Sequence, residues 1–81
     1  MPKKLIWYEI YEVKLDESTQ TLMSFNASDD DIAEKRFDKE REMLQARVNN
    51  REILNAGIDR WESETAFSKP NPVKTIAVLR K

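Results

Sequence analysis

The chain has 81 residues, with one glycine, no cysteine and no histidine, and its 14 basic and 15 acidic side chains leave a net charge of −1. That length fits a single domain over residues 1–81 with one modest core, and the missing residue types exclude disulfides, cysteine–histidine zinc sites and histidine-based acid–base catalysis. Balanced charge argues against a general nucleic-acid coat and against an acidic DNA mimic, and a lone glycine cannot build a glycine-rich phosphate loop.

Residues 4–15, "KLIWYEIYEVKL", are rich in aromatic and β-branched side chains and read as a strand. Leu5, Trp7, Tyr11 and Val13 fall on one face, and Ile6, Tyr8 and Ile10 on the other. A strand apolar on both faces is expected to be central in its sheet or to carry a bulge. Glu9 and Glu12 cut the apolar run and no small-residue cleavage site follows, so no signal peptide is expected. No stretch approaches the roughly 18 apolar residues of a membrane span. With cysteine absent, a cytoplasmic location is expected. "DEST" at residues 16–19 is a polar turn. "TLMSFNA" then reads as a second strand with Thr21, Met23, Phe25 and Ala27 on one face, completing a β-hairpin.

Asp29, Asp30 and Asp31 follow Ser28 and precede an apolar pattern that opens at Ile32. Ser28 and Asp31 have capping-box spacing, and carboxylates suit the positive end of a helix dipole. A calcium loop would need spaced oxygen ligands and a glycine turn, whereas consecutive helical side chains point about 100° apart. The three aspartates are therefore read as a helix start, and no metal or cofactor is expected. The helix is expected from Asp29, with Ala33, Phe37, Leu44 and Val48 as its apolar stripe. The charged run "EKRFDKERE" is read as a solvated face. Residues 51–57, "REILNAG", read as a second short helix or a bent continuation, with Gly57 as its C-terminal cap.

Residues 59–67, "DRWESETAF", alternate as a half-exposed strand, with Trp61 on the apolar side. "SKPNP" is a loop, because Pro70 and Pro72 would break a ladder or a helix. The last strand, "VKTIAVLRK", is apolar on both faces and is expected to be central. The result is an α+β fold of ββαββ order: a four-stranded antiparallel or mixed sheet with one long helix packed on one face. The helix stripe is expected on Trp61, Phe25 and one side of the first strand. This element order resembles the β-grasp fold, which implies that the first and last strands pair in parallel.

These features point to a protein that is not an enzyme. "MPKKLIWYEI" is similar to the start of the N-terminal-proline tautomerases, whose proline amine acts as a base. Those proteins place a helix directly after the first strand, where a hairpin stands here. A sheet with one helix leaves a face and two borders uncovered, and aromatic side chains contribute strongly to interfaces. The expected function is protein interaction, with a partner or a second copy, through a sheet face or edge strand. The candidate contact residues are Trp7, Tyr8, Ile10, Tyr11, Ile76 and Val78. The alternative is an RNA- or DNA-binding module that uses the basic termini: Lys3, Lys4, Lys69, Lys74, Arg80 and Lys81. In size, charge content and lack of cysteine the chain resembles phage and mobile-element accessory proteins, including inhibitors of host defence.

Overall fold

The computed structural model describes residues 6–61 and 73–80. Four strands and one helix follow in the order β1 (Ile6–Val13), β2 (Thr19–Ala27), α1 (Asp30–Asn49), β3 (Asn55–Trp61) and β4 (Lys74–Arg80). The sheet order is β2-β1-β3-β4, and every neighbouring pair is antiparallel. The chain thus has the expected α+β fold, without the parallel pairing of first and last strands that the β-grasp likeness implied. β3 lies between β1 and β4. The central strands are β1, as its two apolar faces suggest, and β3; β4 forms a border.

The first hairpin closes through a turn in which Lys14 N–H donates to Ser18 O at 2.8 Å and Glu17 N–H to Lys14 O at 2.9 Å. Asp16 Oδ1 accepts from the Ser18 hydroxyl at 2.6 Å and its N–H at 3.0 Å, which holds the Asp16 carboxyl below its ordinary pKa. A bulge at Leu22 shifts the register, because Ile10 faces Met23 while Tyr11 faces Thr21. Thr21 therefore leaves the face shared by Met23, Phe25 and Ala27, where uninterrupted alternation would have kept it.

Asp29, one residue later than expected, is the N-cap of α1, its Oδ1 accepting from Ile32 N–H at 2.9 Å. Asp30 points at the sheet. It accepts from the Tyr8 hydroxyl at 2.6 Å and from Arg60 at 3.1 and 3.3 Å, and Lys74 lies 3.7 Å away. The Tyr8 bond, then Arg60 and Lys74, hold the Asp30 carboxyl below its usual range; burial and Asp30 push the Tyr8 phenol up. The three aspartates thus serve as cap, anchor and exposed first-turn charge.

The helix ends at Asn49 without a glycine. Glu52 N–H donates to Arg47 O at 2.9 Å and Arg51 N–H to Val48 O at 3.1 Å, with Arg51 left-handed at φ 62°. That is the hydrogen-bond pattern of a Schellman closure, with arginine where glycine is usual. Residues 51–56 are accordingly neither a second helix nor a continuation, and β3 opens at Asn55. Gly57 sits inside β3. The part of the expected strand beyond Trp61 and the proline loop fall outside the described residues.

Ala33, Phe37, Leu44 and Val48 of α1 pack on Tyr8, Ile10, Ala56, Ile58 and Leu79, with Ile53 closing one end. The expected stripe is the observed one. A second anchor fixes the other end of the helix: Arg47 donates to both oxygens of buried Glu12, at 3.0 and 3.4 Å. With Asp30 and Arg47 each tied to the sheet, α1 lies closer to β4 and β3 than to β2.

Candidate functional site

Strand parity decides where the candidate contact residues go. Tyr8 and Ile10 share a side of β1 with Glu12, and that side faces the helix. They are 0 % and 1 % exposed and belong to the core, so neither can meet a partner. Ile76 is the extra residue of a bulge in β4, where Ile58 pairs with Ala77 and Asp59 with Thr75, and it packs against the core from the border. Trp7, Tyr11 and Val78 lie on the face opposite α1, which is helix-free among the described residues, and are half-buried.

That face is organised in cross-strand rows. Trp7 stands opposite Trp61, so Trp61 lies away from the helix it was expected to meet. Glu9 stands opposite Asp59, and Thr21 donates a hydrogen bond to Glu9. Tyr11 stands opposite Gly57. A Cβ on Gly57 would lie 2.6 Å from Ala77 O and 2.8 Å from the Tyr11 hydroxyl, so the glycine makes room for the tyrosine ring and the neighbouring backbone. Asp59 is 9 % exposed, and its Oδ1 is buried without a hydrogen-bond partner. Burial raises its pKa to about 6, with Glu9 adding to the rise and a hydrogen bond from Thr75 opposing it. Burial and the Asp59 charge also push the Tyr11 phenol up. The rows interlock their own side chains, and the carboxyl with the raised pKa is enclosed.

The two basic candidates among the described residues, Lys74 and Arg80, lie at opposite ends of β4. β1 and β4 both run opposite to β3. Arg80 is level with Asn55 and Val13, at the far end of the sheet from the start of β1. Lys74 lies at the other end, beside Asp30. Lys3, Lys4, Lys69 and Lys81 lie outside the described residues.

Of the exposed large apolar side chains, Leu22, Ile32 and Met43 lie along the seam between β2 and α1, while Leu15 and Leu54 line a groove at the C-terminal end of the helix. Leu22 of the bulge is 39 % exposed, Ile32 49 % and Met43 54 %. Two grooves run along this seam. One, of about 200 Å³, includes Leu22, Met23, Glu40 and Met43; the next, of about 290 Å³, includes Phe25, Ile32, Lys35, Arg36 and Lys39. The Arg36 guanidinium lies over the Phe25 ring, 5.0 Å from its centroid, and Phe25 stacks on Tyr8 at 5.7 Å. Among the described residues, nothing pairs with the outer border of β2. "TQTLMSFNA" contains no charged residue and no proline across its nine positions. The border on β4 differs in charge: it carries Lys74 and Arg80, whereas each border strand has one bulge, at Leu22 in β2 and at Ile76 in β4.

None of these seam residues was among the sequence candidates, yet a signal was present. Ile32, Arg36, Lys39 and Met43 recur at spacings of four, three and four, which is a second helical stripe beside the core stripe. Comparison of the chain with protein-family models, with characterised proteins and with solved structures finds no match.

Proposed function

We propose that the chain is an intracellular, non-enzymatic protein-interaction module that binds an extended segment of its partner by strand addition to β2. The observation that carries this reading is the uncharged, proline-free outer border of β2, flanked by the exposed side chains of Leu22, Ile32 and Met43. An open border offers a row of backbone N–H and C=O groups, and proteins that do not use such a border usually block it with lysine, proline or a covering segment. Main-chain hydrogen bonds supply affinity in strand addition, while flanking pockets supply choice. The rows of half-buried Trp7 and Tyr11 and buried Trp61 serve mainly to stiffen the sheet that presents this border. No helix among the described residues is long and apolar enough to cross a membrane.

Hydrogen exchange tests the reading. In the isolated chain the outward amides of β2 should exchange much faster than those of β1 and β3, which are paired on both sides. In a complex with a partner captured from the native host, the β2 amides should become protected while those of β4 do not change. Protection confined to β4 or to the face around Trp7 and Tyr11 would remove β2 as the binding border.

A further inference from the structure

The two flanks of α1 differ in how their charges are matched. On the β4 side Arg41 bonds Asp38 at 2.7 Å and reaches Glu34 at 3.4 Å, so cation and carboxylates neutralise one another. On the β2 side Lys35, Arg36 and Lys39 line the seam, and among the described residues none of them makes an ion pair. Glu40 is the one carboxylate lining either groove of the seam. Unmatched cations thus line the groove beside the strand proposed to accept a partner.

Resting on the strand-addition reading, we propose that the seam selects a partner strand whose helix-facing side chains run apolar, acidic, apolar. The spacing follows from the stripe. Ile32 and Met43 are eleven residues apart, about 16 Å along a helix, with Arg36 and Lys39 between them. A strand rises about 3.3 Å per residue, so five residues lie beneath the stripe and three of them point toward it. The outer two meet Ile32 at one end and Met43 with Leu22 at the other. The middle one meets Arg36 and Lys39, where a carboxylate gains charge-assisted hydrogen bonds and a lysine would be repelled. The pattern reads the same in both directions, so it holds whether the strand adds parallel or antiparallel. Charge also disfavours a second copy as the occupant. Two-fold pairing of β2 with β2 would set two unmatched cationic flanks against each other.

The test uses the full chain and three labelled peptides of sequence Thr-Val-Thr-X-Thr-Val-Thr, with Glu, Gln or Lys at X, followed by fluorescence anisotropy. The Glu peptide should bind about ten-fold more tightly than the Lys peptide at low salt, and the gap should narrow as salt rises. In the double variant Arg36→Gln/Lys39→Gln the preference should vanish while the Gln peptide binds as before. Equal binding of all three peptides would overturn the charge selection and leave strand addition standing. A Glu peptide N-methylated on alternate amides cannot extend the sheet, so its undiminished binding would overturn strand addition itself. Failure of every peptide to bind at millimolar concentration overturns both. The selection also falls if the free chain forms a discrete two-fold dimer through β2 at neutral pH and low salt, away from its pI, or if an oligothymidylate displaces the Glu peptide in a manner that depends on Arg36 and Lys39.

Discussion

Asp59 shows how one side chain can set the pH dependence of this fold. It is buried opposite Glu9, one oxygen lacks a partner, and its pKa is raised to about 6. A carboxyl whose folded pKa exceeds its unfolded value of about 3.9 contributes stability that is fully present below the unfolded value. That contribution is lost as the pH rises through about 6. Asp59→Asn keeps the neutral form at every pH. It should raise stability by about 1–3 kcal/mol at pH 8 and change little at pH 4, read from urea midpoints. An equal effect at both pH values would show that ionisation is not the cause. Two backbone positions make a matched pair of opposite sign. Gly57→Ala sets a Cβ 2.6 Å from the Ala77 carbonyl, and the backbone cannot yield there as a side-chain tip could. The cost should be about 1–3 kcal/mol, and adding Tyr11→Phe should not restore it. Arg51→Gly removes a Cβ from a left-handed residue and should stabilise by about 0.5–1 kcal/mol. Thermal unfolding of the two variants should therefore shift in opposite directions.

Among the elements, α1 is legible from its 3.6-residue stripe and β1 from its aromatic and β-branched composition. The stripe of Ala33, Phe37, Leu44 and Val48 is buried as read and β1 is central, but the same two-faced apolar pattern in the last strand misleads, because β4 is a border and its extra apolar residue is the bulged Ile76. What failed to show was local chemistry with two readings. Gly57 after "REILNA" has the form of a helix cap, but the Schellman closure uses Arg51 and frees the glycine for β3. The bulges at Leu22 and Ile76 each add one residue that no alternation reveals, and each changes which side chains share a face. The sequence offers Tyr8 and Ile10 as contact residues because it does not say which face of β1 the helix covers. The answer lies in pairs far apart in the chain: Tyr8 and Arg60 with Asp30, and Glu12 with Arg47. The second of these anchors can be tested as a cycle. Arg47→Met leaves the Glu12 carboxylate buried without its fork and should cost about 2–4 kcal/mol. Glu12→Met in the same background should recover most of that loss, because an apolar pair of similar volume carries no unpaired charge. Chemical denaturation of the single and double variants gives the coupling; a double variant as unstable as Arg47→Met alone would mean that packing, not charge, is lost.

For the whole molecule, the two borders of the sheet decide how copies meet one another. Each carries a bulge, but β4 also has charges at both ends, which discourage pairing, and β2 has no charge of its own. Net repulsion between copies fades near the chain's pI of about 5.5, so contact through β2 should be greatest there. Ser24 is exposed on the helix-free face of β2, opposite Glu9, where a lysine would charge the border and face a carboxylate. Ser24→Lys should leave stability within about 0.5 kcal/mol of the parent. It should also reduce light scattering near pH 5.5 several-fold, since a charge on an edge strand opposes its extension. Ala46→Lys, exposed on the helix, adds the same charge away from that border and supplies the comparison. If Ala46→Lys suppresses scattering as well as Ser24→Lys does, net charge governs association and the border of β2 has no special part in it. If only Ser24→Lys does so, the same strand that accepts a partner is the one through which the free chain aggregates, and occupancy by the partner should protect it from aggregation.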